Sequence, residues 1–193
     1  DRVGLVLPVG VDALVVTLAA LSLGAVVSSA APEFGVPAVL DRFGQLDPVL
    51  LVGAVAYRWG GRRFDRVDHL VELVRGLPTV RDLLLVPGTD DVSSPVDDDP
   101  VPVSRISALA VAGTTRLLHV DALHDLVEAR RGTAVDRAPL PYDHQAYVLF
   151  SSGTTGAPKC LVHRAGGVLL KHLTEQSLQC GVRPGDRVLF FTT

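Results

Sequence analysis

The sequence contains no methionine. Asp1 is therefore not a retained start residue, and the chain is expected to be a piece of a longer protein. Residues 1–7 open like the edge of a strand, and residues 188–193 stop inside a strand-like run with no closing turn, so an unfinished core is expected. Only two cysteines occur, Cys160 and Cys180; these are too few for a disulfide framework and suit free thiols in a reducing, cytoplasmic compartment. The formal net charge is −3, which leaves no basic footprint for nucleic acid. Six histidines are scattered along the chain, and His119 and His124 stand five apart, a spacing that a helix would not align as metal ligands. No metal site is expected from them.

A clean membrane-length run is also missing. Residues 13–30 carry no charge, and a spanning helix needs about 20 apolar residues. Ser22, Ser28 and Ser29 dilute the stretch, Gly24 falls where a soluble helix would end, and no arginine cluster flanks it. A signal peptide would carry a basic head, which is absent here. The expectation is a helix over 12–23, Gly24 as its C-terminal cap, a buried strand over 25–29, and no membrane partner.

What is present is an apolar fraction of 48%, enough for one globular core. Residues 37–46 read as a short helix with Pro37 in its first turn, and 49–55 as a strand. Residues 57–64 hold Gly60-Gly61 with Arg58, Arg62 and Arg63, and read as an exposed hairpin or as a basic patch for an anion, the hairpin being preferred. Val67, Leu70, Val71 and Val74 have helical spacing within 66–77, and 80–86 is a strand. The aspartates of 87–113 lack EF-hand spacing, so a solvated loop is expected there. A short strand over 117–120, a helix over 121–131 capped by Asp121, and a linker over 132–143 follow. Residues 146–150 and 161–163 read as strands, and 165–179 as a helix with Leu169, Leu173 and Cys180 on one face. Gly181 stops that helix, Pro184-Gly185 turns the chain, and 188–192 returns as a strand. Repeated strand–helix–strand alternation predicts an α/β fold with a largely parallel sheet.

The densest chemistry lies in Ser151-Ser152-Gly153-Thr154-Thr155-Gly156-Ala157-Pro158-Lys159. Four hydroxyls, two glycines and one lysine fall within nine residues, directly after an apolar strand. Glycines let backbone N–H groups close around an anion, hydroxyls donate further hydrogen bonds, and lysine adds a compact charge. Of 18 basic residues, only Lys159 and Lys171 are lysine, and one of the two stands here. A Walker loop would put lysine directly after glycine, whereas Ala157 and Pro158 intervene. Phosphate binding is the functional reading, and a Ser/Thr/Gly surface turn is the alternative.

This loop resembles the phosphate-loop signature of the adenylate-forming acyl-CoA synthetase superfamily. The flanks, Lys159-Cys160-Leu161-Val162-His163-Arg164-Ala165-Gly166-Gly167, Lys171-His172-Leu173, Arg183-Pro184-Gly185-Asp186-Arg187 and Phe190-Phe191-Thr192-Thr193, are similar to the acetoacetyl-CoA synthetase family. So are Ser28-Ser29-Ala30-Ala31-Pro32-Glu33-Phe34-Gly35-Val36 and Val39-Leu40-Asp41-Arg42-Phe43-Gly44-Gln45-Leu46-Asp47-Pro48. The resemblance implies that residues 1–193 are part of the large N-terminal domain of such an enzyme. It implies ATP-dependent conversion of acetoacetate to an acyl-adenylate, then to a thioester with CoA, with Mg²⁺ bridging ATP oxygens. By that match Ser151, Ser152, Gly153, Thr154, Thr155, Gly156 and Lys159 bind the phosphates. The family's adenine and ribose contacts, metal-binding glutamate, acyl pocket and C-terminal catalytic lysine are expected past Thr193, so no catalytic residue is assigned within the chain. Lys171 is read as a solvated helix residue and His163 as structural. The alternatives are another short-chain acyl-CoA synthetase, for acetate or propionate, and a truncated, non-catalytic nucleotide-binding module.

Overall fold

In the strand Arg2–Val6 the side chains alternate between two cores, Val3 and Leu5 toward one and Val6 toward the other. Leu50–Ala54 repeats the pattern, with Val52 and Ala54 on one side and Leu51 on the other. Such near-continuous apolar strands are buried on both faces, as parallel strands between helix layers must be. The computed structural model describes residues 1–87, 119–151 and 156–189. In chain order its strands are β1 (Arg2–Val6), β2 (Val26–Ala30), β3 (Leu50–Ala54), β4 (Ala56–Trp59), β5 (Arg62–Asp65), β6 (Asp82–Val86), β7 (His119–Ala122), β8 (Gln145–Ser151) and β9 (Lys159–Arg164). The helices are α1 (Val11–Ser22), α2 (Val36–Phe43), α3 (Val67–Gly76), α4 (Leu123–Ala129) and α5 (Ala165–Leu173), the last continuing into a π-helical turn, Thr174–Gln179.

Among the described residues the main sheet has the order β7-β6-β3-β1-β2-β8-β9, with β4-β5 as a separate hairpin. Neighbours are parallel from β7 to β8, and only β9 runs antiparallel, against β8. This is the predicted α/β architecture with a largely parallel sheet. The order β2-β1-β3-β6-β7 is doubly wound, and such sheets gather ligands at the carboxyl ends of their strands. One core joins the sheet to α2 and α3 through Val39, Phe43, Leu70, Leu73 and Val74. The other joins it to α1 and α4 through Val16, Ala20 and Leu123.

Two glycines let the first pair of helices come close. A Cβ on Gly4 would stand 2.9 Å from Cε2 of Phe43, and one on Gly53 would stand 2.3 Å from Cδ2 of Leu70. Both large side chains are fully buried, which is worth about 1.5–3 kcal/mol each. Helix α3 buries Val67, Leu70, Val71 and Val74 at the spacing seen in the sequence, and the Asp65 carboxylate accepts from the Val67 N–H at 2.9 Å to start it. Helix α1 ends as expected at Gly24, whose φ is +76°. Ala25 N–H bonds to Ala20 O at 2.9 Å and Gly24 N–H to Leu21 O at 3.0 Å, the paired closure of a Schellman end. α1 has 12 residues, and no helix among the described residues is long and apolar enough to cross a membrane.

Two local expectations need correction, the Asp121 cap and the start of the last strand. Asp121 does not cap a helix: it lies in β7 opposite Leu84, and α4 starts at Leu123 with Ala122 at its N-cap and no side-chain cap bond. Pairing with β6 draws residues 119–122 into the ladder and so overrides the local capping signal. The face of Leu169, Leu173 and Cys180 is uncovered: Leu169 is 60% and Leu173 51% exposed, Cys180 is exposed, and α5 buries no residue. Val188 and Leu189 belong to no described strand. The aspartate cluster of 90–99, residues 117–118 of the predicted short strand and residues 190–192 of the last predicted strand lie outside the described residues.

Two stability predictions follow from this packing. Gly53→Val should lower unfolding stability by about 1–3 kcal/mol through overpacking against Leu70, in urea titrations followed by circular dichroism. Combining it with Leu70→Ala should cost less than the two single changes added together, because the second change empties the space the first one invades. His69 supplies the other test. Its Nε2 donates to Phe34 O at 2.9 Å, while Nδ1 is buried without a partner. Burial holds the ring below its ordinary value of 6.5; the Phe34 carbonyl opposes this, and Arg66 adds to it. Between the lowered value and 6.5 the unfolded chain binds more protons, so this stability is complete above 6.5 and is lost as pH falls. Unfolding midpoints should therefore drop more steeply below pH 6.5 in the native chain than in His69→Gln, which keeps a donor for Phe34 and does not titrate.

Candidate phosphate-binding site

Strands β8 and β9 are the two stems of a hairpin, and the Ser/Thr/Gly/Lys segment is its loop. Ser151 pairs with Lys159, Phe150 with Cys160, and Leu149 with Leu161. Ser151 therefore closes β8 and Lys159 opens β9, facing each other across the mouth of the loop. Ser151 is half-buried and Lys159 is exposed. Gly156 has φ +128°, a conformation that side chains with a Cβ rarely adopt, so this position of the loop favours glycine. Ser152, Gly153, Thr154 and Thr155 lie outside the described residues. The structure thus brings Ser151 and Lys159 together, with Gly156 close by in the returning chain.

Because β8 is parallel to β2, the loop leaves the sheet at its carboxyl end. A cleft of about 720 Å³ opens at the same end. Its walls include Pro8 after β1, Pro32 and Glu33 after β2, and Tyr57 and Trp59 of β4. The β4–β5 hairpin turns at Gly60 and Gly61, with φ of +56° and +74°, as two-residue hairpin turns require. It is the exposed hairpin predicted: Trp59 is 77% exposed, and the Tyr57 and Phe64 rings stack at 5.0 Å. Arg66 lies over Tyr57 at 5.1 Å and Arg62 over Phe64 at 5.9 Å, so two arginines of this region pack on its rings.

Two further features hold the β8–β9 hairpin in place, and sequence reasoning missed both. Ser28 is a buried polar residue in β2, and its hydroxyl donates to Val148 O at 2.7 Å. In the sequence Ser28 counts against a membrane span, and a serine inside a buried strand is also a signal that a hydrogen-bond partner exists. The second feature is the end of α2, where Gln45 Nε2 donates to Pro158 O at 3.1 Å. No local pattern links positions 113 residues apart.

Other polar groups sit on the opposite side of the hairpin. A cavity of about 780 Å³ is lined by Tyr147, His163, Lys171 and His172. His163 is exposed and so is not the packed structural residue expected. Burial pushes the Tyr147 hydroxyl above its usual 10.0. Lys171 pairs with Glu175 one turn along on an exposed helix face, as its solvated reading predicted. Among the described residues no three His, Cys, Asp or Glu side chains converge to hold a metal. Cys160 and Cys180 are free and exposed.

Comparison with known proteins places this geometry in context. The chain is 38% identical to acetoacetyl-coenzyme A synthetase of Rhizobium meliloti (strain 1021) and 34% identical to acetoacetyl-CoA synthetase of Gallus gallus, over 100% of its own length in each case. It is 34% identical, over 94% of its length, to malonamoyl-CoA synthetase vrtB of Penicillium aethiopicum. Among solved structures it matches acetoacetyl-CoA synthetase from Streptomyces lividans with a TM-score of 0.73 and 37% identity, covering 96% of this chain and 25% of that one. The adenylation domain of a carboxylate reductase from Mycobacterium chelonae shares the fold, with a TM-score of 0.66 at 20% identity, over 93% of this chain and 26% of that one. The chain spans 27% of the length of the first two relatives and 23% of the third. The sequence profile of the AMP-binding enzymes matches residues 1–193. From its first residue to its last, the chain belongs to the AMP-binding enzyme family.

Proposed function

We propose that this chain is part of the large N-terminal domain of an AMP-forming acid–thiol ligase that activates acetoacetate. The observation that carries the reading is the hairpin loop of 151–159 at the carboxyl end of a parallel sheet, in a chain similar throughout to acetoacetyl-CoA synthetases. A carboxylate is a poor acyl donor because its leaving group would be oxide. Its oxygen attacks the α-phosphorus of ATP, and pyrophosphate departs with the bonding pair, leaving a mixed anhydride. The sulfur of CoA then attacks the acyl carbon, AMP departs, and a thioester remains. Charge builds on the leaving pyrophosphate, so donors fixed in advance at that point lower the barrier most. Ser151, Ser152, Thr154 and Thr155 supply hydroxyls, Gly153 and Gly156 free the backbone N–H groups, and Lys159 neutralises phosphate charge. Mg²⁺ would be supplied with ATP and would neutralise phosphate charge alongside Lys159 and the loop hydroxyls.

The exposed apolar side chains of β9 and α5, among them Leu161, Val162, Leu169 and Leu173, fit this reading as the face on which the rest of the domain builds. A second acid deserves a place in the test. One relative is a malonamoyl-CoA synthetase, and malonamate, like acetoacetate, is a short acid with a carbonyl on its third carbon.

The deciding assay is carboxylate-dependent ATP–pyrophosphate exchange by the full-length protein that contains this chain. Exchange should be strongest with acetoacetate, with malonamate next and acetate and propionate below. Lys159→Ala should reduce it by roughly 10²–10³-fold, the effect of removing one charge-stabilising donor. Lys171→Ala should stay within about twofold of wild type, since an exposed i,i+4 pair contributes little. Exchange driven best by another acid would keep the chemistry and replace the substrate. A folded protein with no exchange for any acid would favour a non-catalytic nucleotide-binding module. Residues 1–193 expressed alone should give no acid-dependent exchange.

A further inference from the structure

The end of α2 lies against both stems of the 151–159 loop. On the entry side, the Arg42 guanidinium sits 5.0 Å from the Phe34 ring centre and 6.0 Å from that of Phe150, the residue before Ser151. Its Nη1 donates to Ala38 O at 2.6 Å, which holds the group over the rings. On the exit side, Gln45 Nε2 donates to Asp41 O at 2.7 Å and to Pro158 O at 3.1 Å. Gln45 Oε1 accepts from the Cys160 thiol at 3.4 Å. Pro158 and Cys160 are the two neighbours of Lys159, so one amide holds the backbone on one side of the loop's lysine and the thiol side chain on the other.

The holder is itself fixed. Phe43 is fully buried on Gly4, and Leu46 is buried beyond it. Arg2 of β1 donates to the Leu46 carbonyl and, at 3.4 Å, to the Asp47 carbonyl. Asp47 stands at φ +48°, a left-handed turn that ends the helix and leads into β3. Ordering an exposed glutamine costs side-chain entropy, and here its three hydrogen bonds all serve this one junction. A glycine-bearing loop gains most from fixed ends, because donors aimed in advance need no reorganisation when charge develops.

We propose that the end of α2 and the turn that follows it position the phosphate loop by gripping both of its stems, Arg42 through Phe150 and Gln45 through Pro158 and Cys160. The inference rests on the reading of 151–159 as the ATP phosphate site. Arg42 and Gln45 are positioning residues and touch no reacting atom.

The test uses the full-length protein and ATP–pyrophosphate exchange. Gln45→Ala should raise the KM for ATP about fivefold, the scale of one or two exposed hydrogen bonds. The KM for the acid and the urea midpoint should stay close to wild type. Gln45→Glu should behave no better, since a carboxylate cannot donate to the Pro158 carbonyl. Arg42→Met should raise the ATP KM, and Arg42→Lys, which keeps a cation over the rings, should recover part of the loss. Iodoacetamide labelling of Cys160, followed by peptide mass, should be faster in Gln45→Ala, because the thiol loses its acceptor. An unchanged ATP KM in both Gln45→Ala and Arg42→Met would overturn the inference, as would parallel shifts in the ATP KM, the acid KM and the urea midpoint. Absence of exchange in the wild-type protein would instead overturn the functional reading, and the inference with it.

Discussion

The seating of Phe43 on Gly4 is the contact on which the rest of the structure depends. It sets how closely α2 approaches the central strand, and Leu70 on Gly53 does the same for α3 one strand away. With both glycines in place, two helices come close to the sheet, and Phe43 and Leu70 between them are fully buried. Interiors packed this closely transmit small displacements rather than absorb them. The position of α2 therefore governs whatever α2 and the turn after it touch, and these reach both stems of the loop.

Burial decreases steadily from the centre of the sheet toward the loop. β1 and β3 are enclosed on both faces, while β9 carries no buried residue and α5 none. The hairpin of β8 and β9 joins the sheet through a short register with β2, where Val27 faces Tyr147. The buried bond from Ser28 to Val148 reinforces that junction from inside. A hairpin at such an edge gains from side-chain anchors, because β8 meets β2 through one pair and β9 has β8 alone as its neighbour among the described strands. Arg42 near the end of α2 and Gln45 in the turn after it supply such contacts from the well-packed core that holds Val39 and Phe43.

Helix and strand periods, the Gly24 cap, the Gly60-Gly61 turn and the parallel α/β class were all legible in the sequence, because each depends on residues within a few positions of one another. So was the inventory of the loop: hydroxyls, glycines and one lysine in an arginine-rich chain. Asp121 shows where local reading fails. Its capping chemistry is intrinsic, yet pairing with β6 recruits the same residues into a strand, and a ladder of backbone bonds outweighs one cap. The apolar face of α5 makes a related point: spacing identifies a face, but only a neighbour determines whether that face is covered.

By itself, then, the sequence determined the chemistry of the loop and the kind of layers that present it, since both are written in short patterns of residue type. Tertiary structure alone decided the strand order, the two glycine approaches, and the pairing of Ser151 with Lys159 across the loop mouth. It also decided that Gln45, distant in the chain, holds Pro158 and Cys160. These contacts join positions with no local signal between them, and they exist only because packing around Phe43 and Leu70 brings the elements to one place.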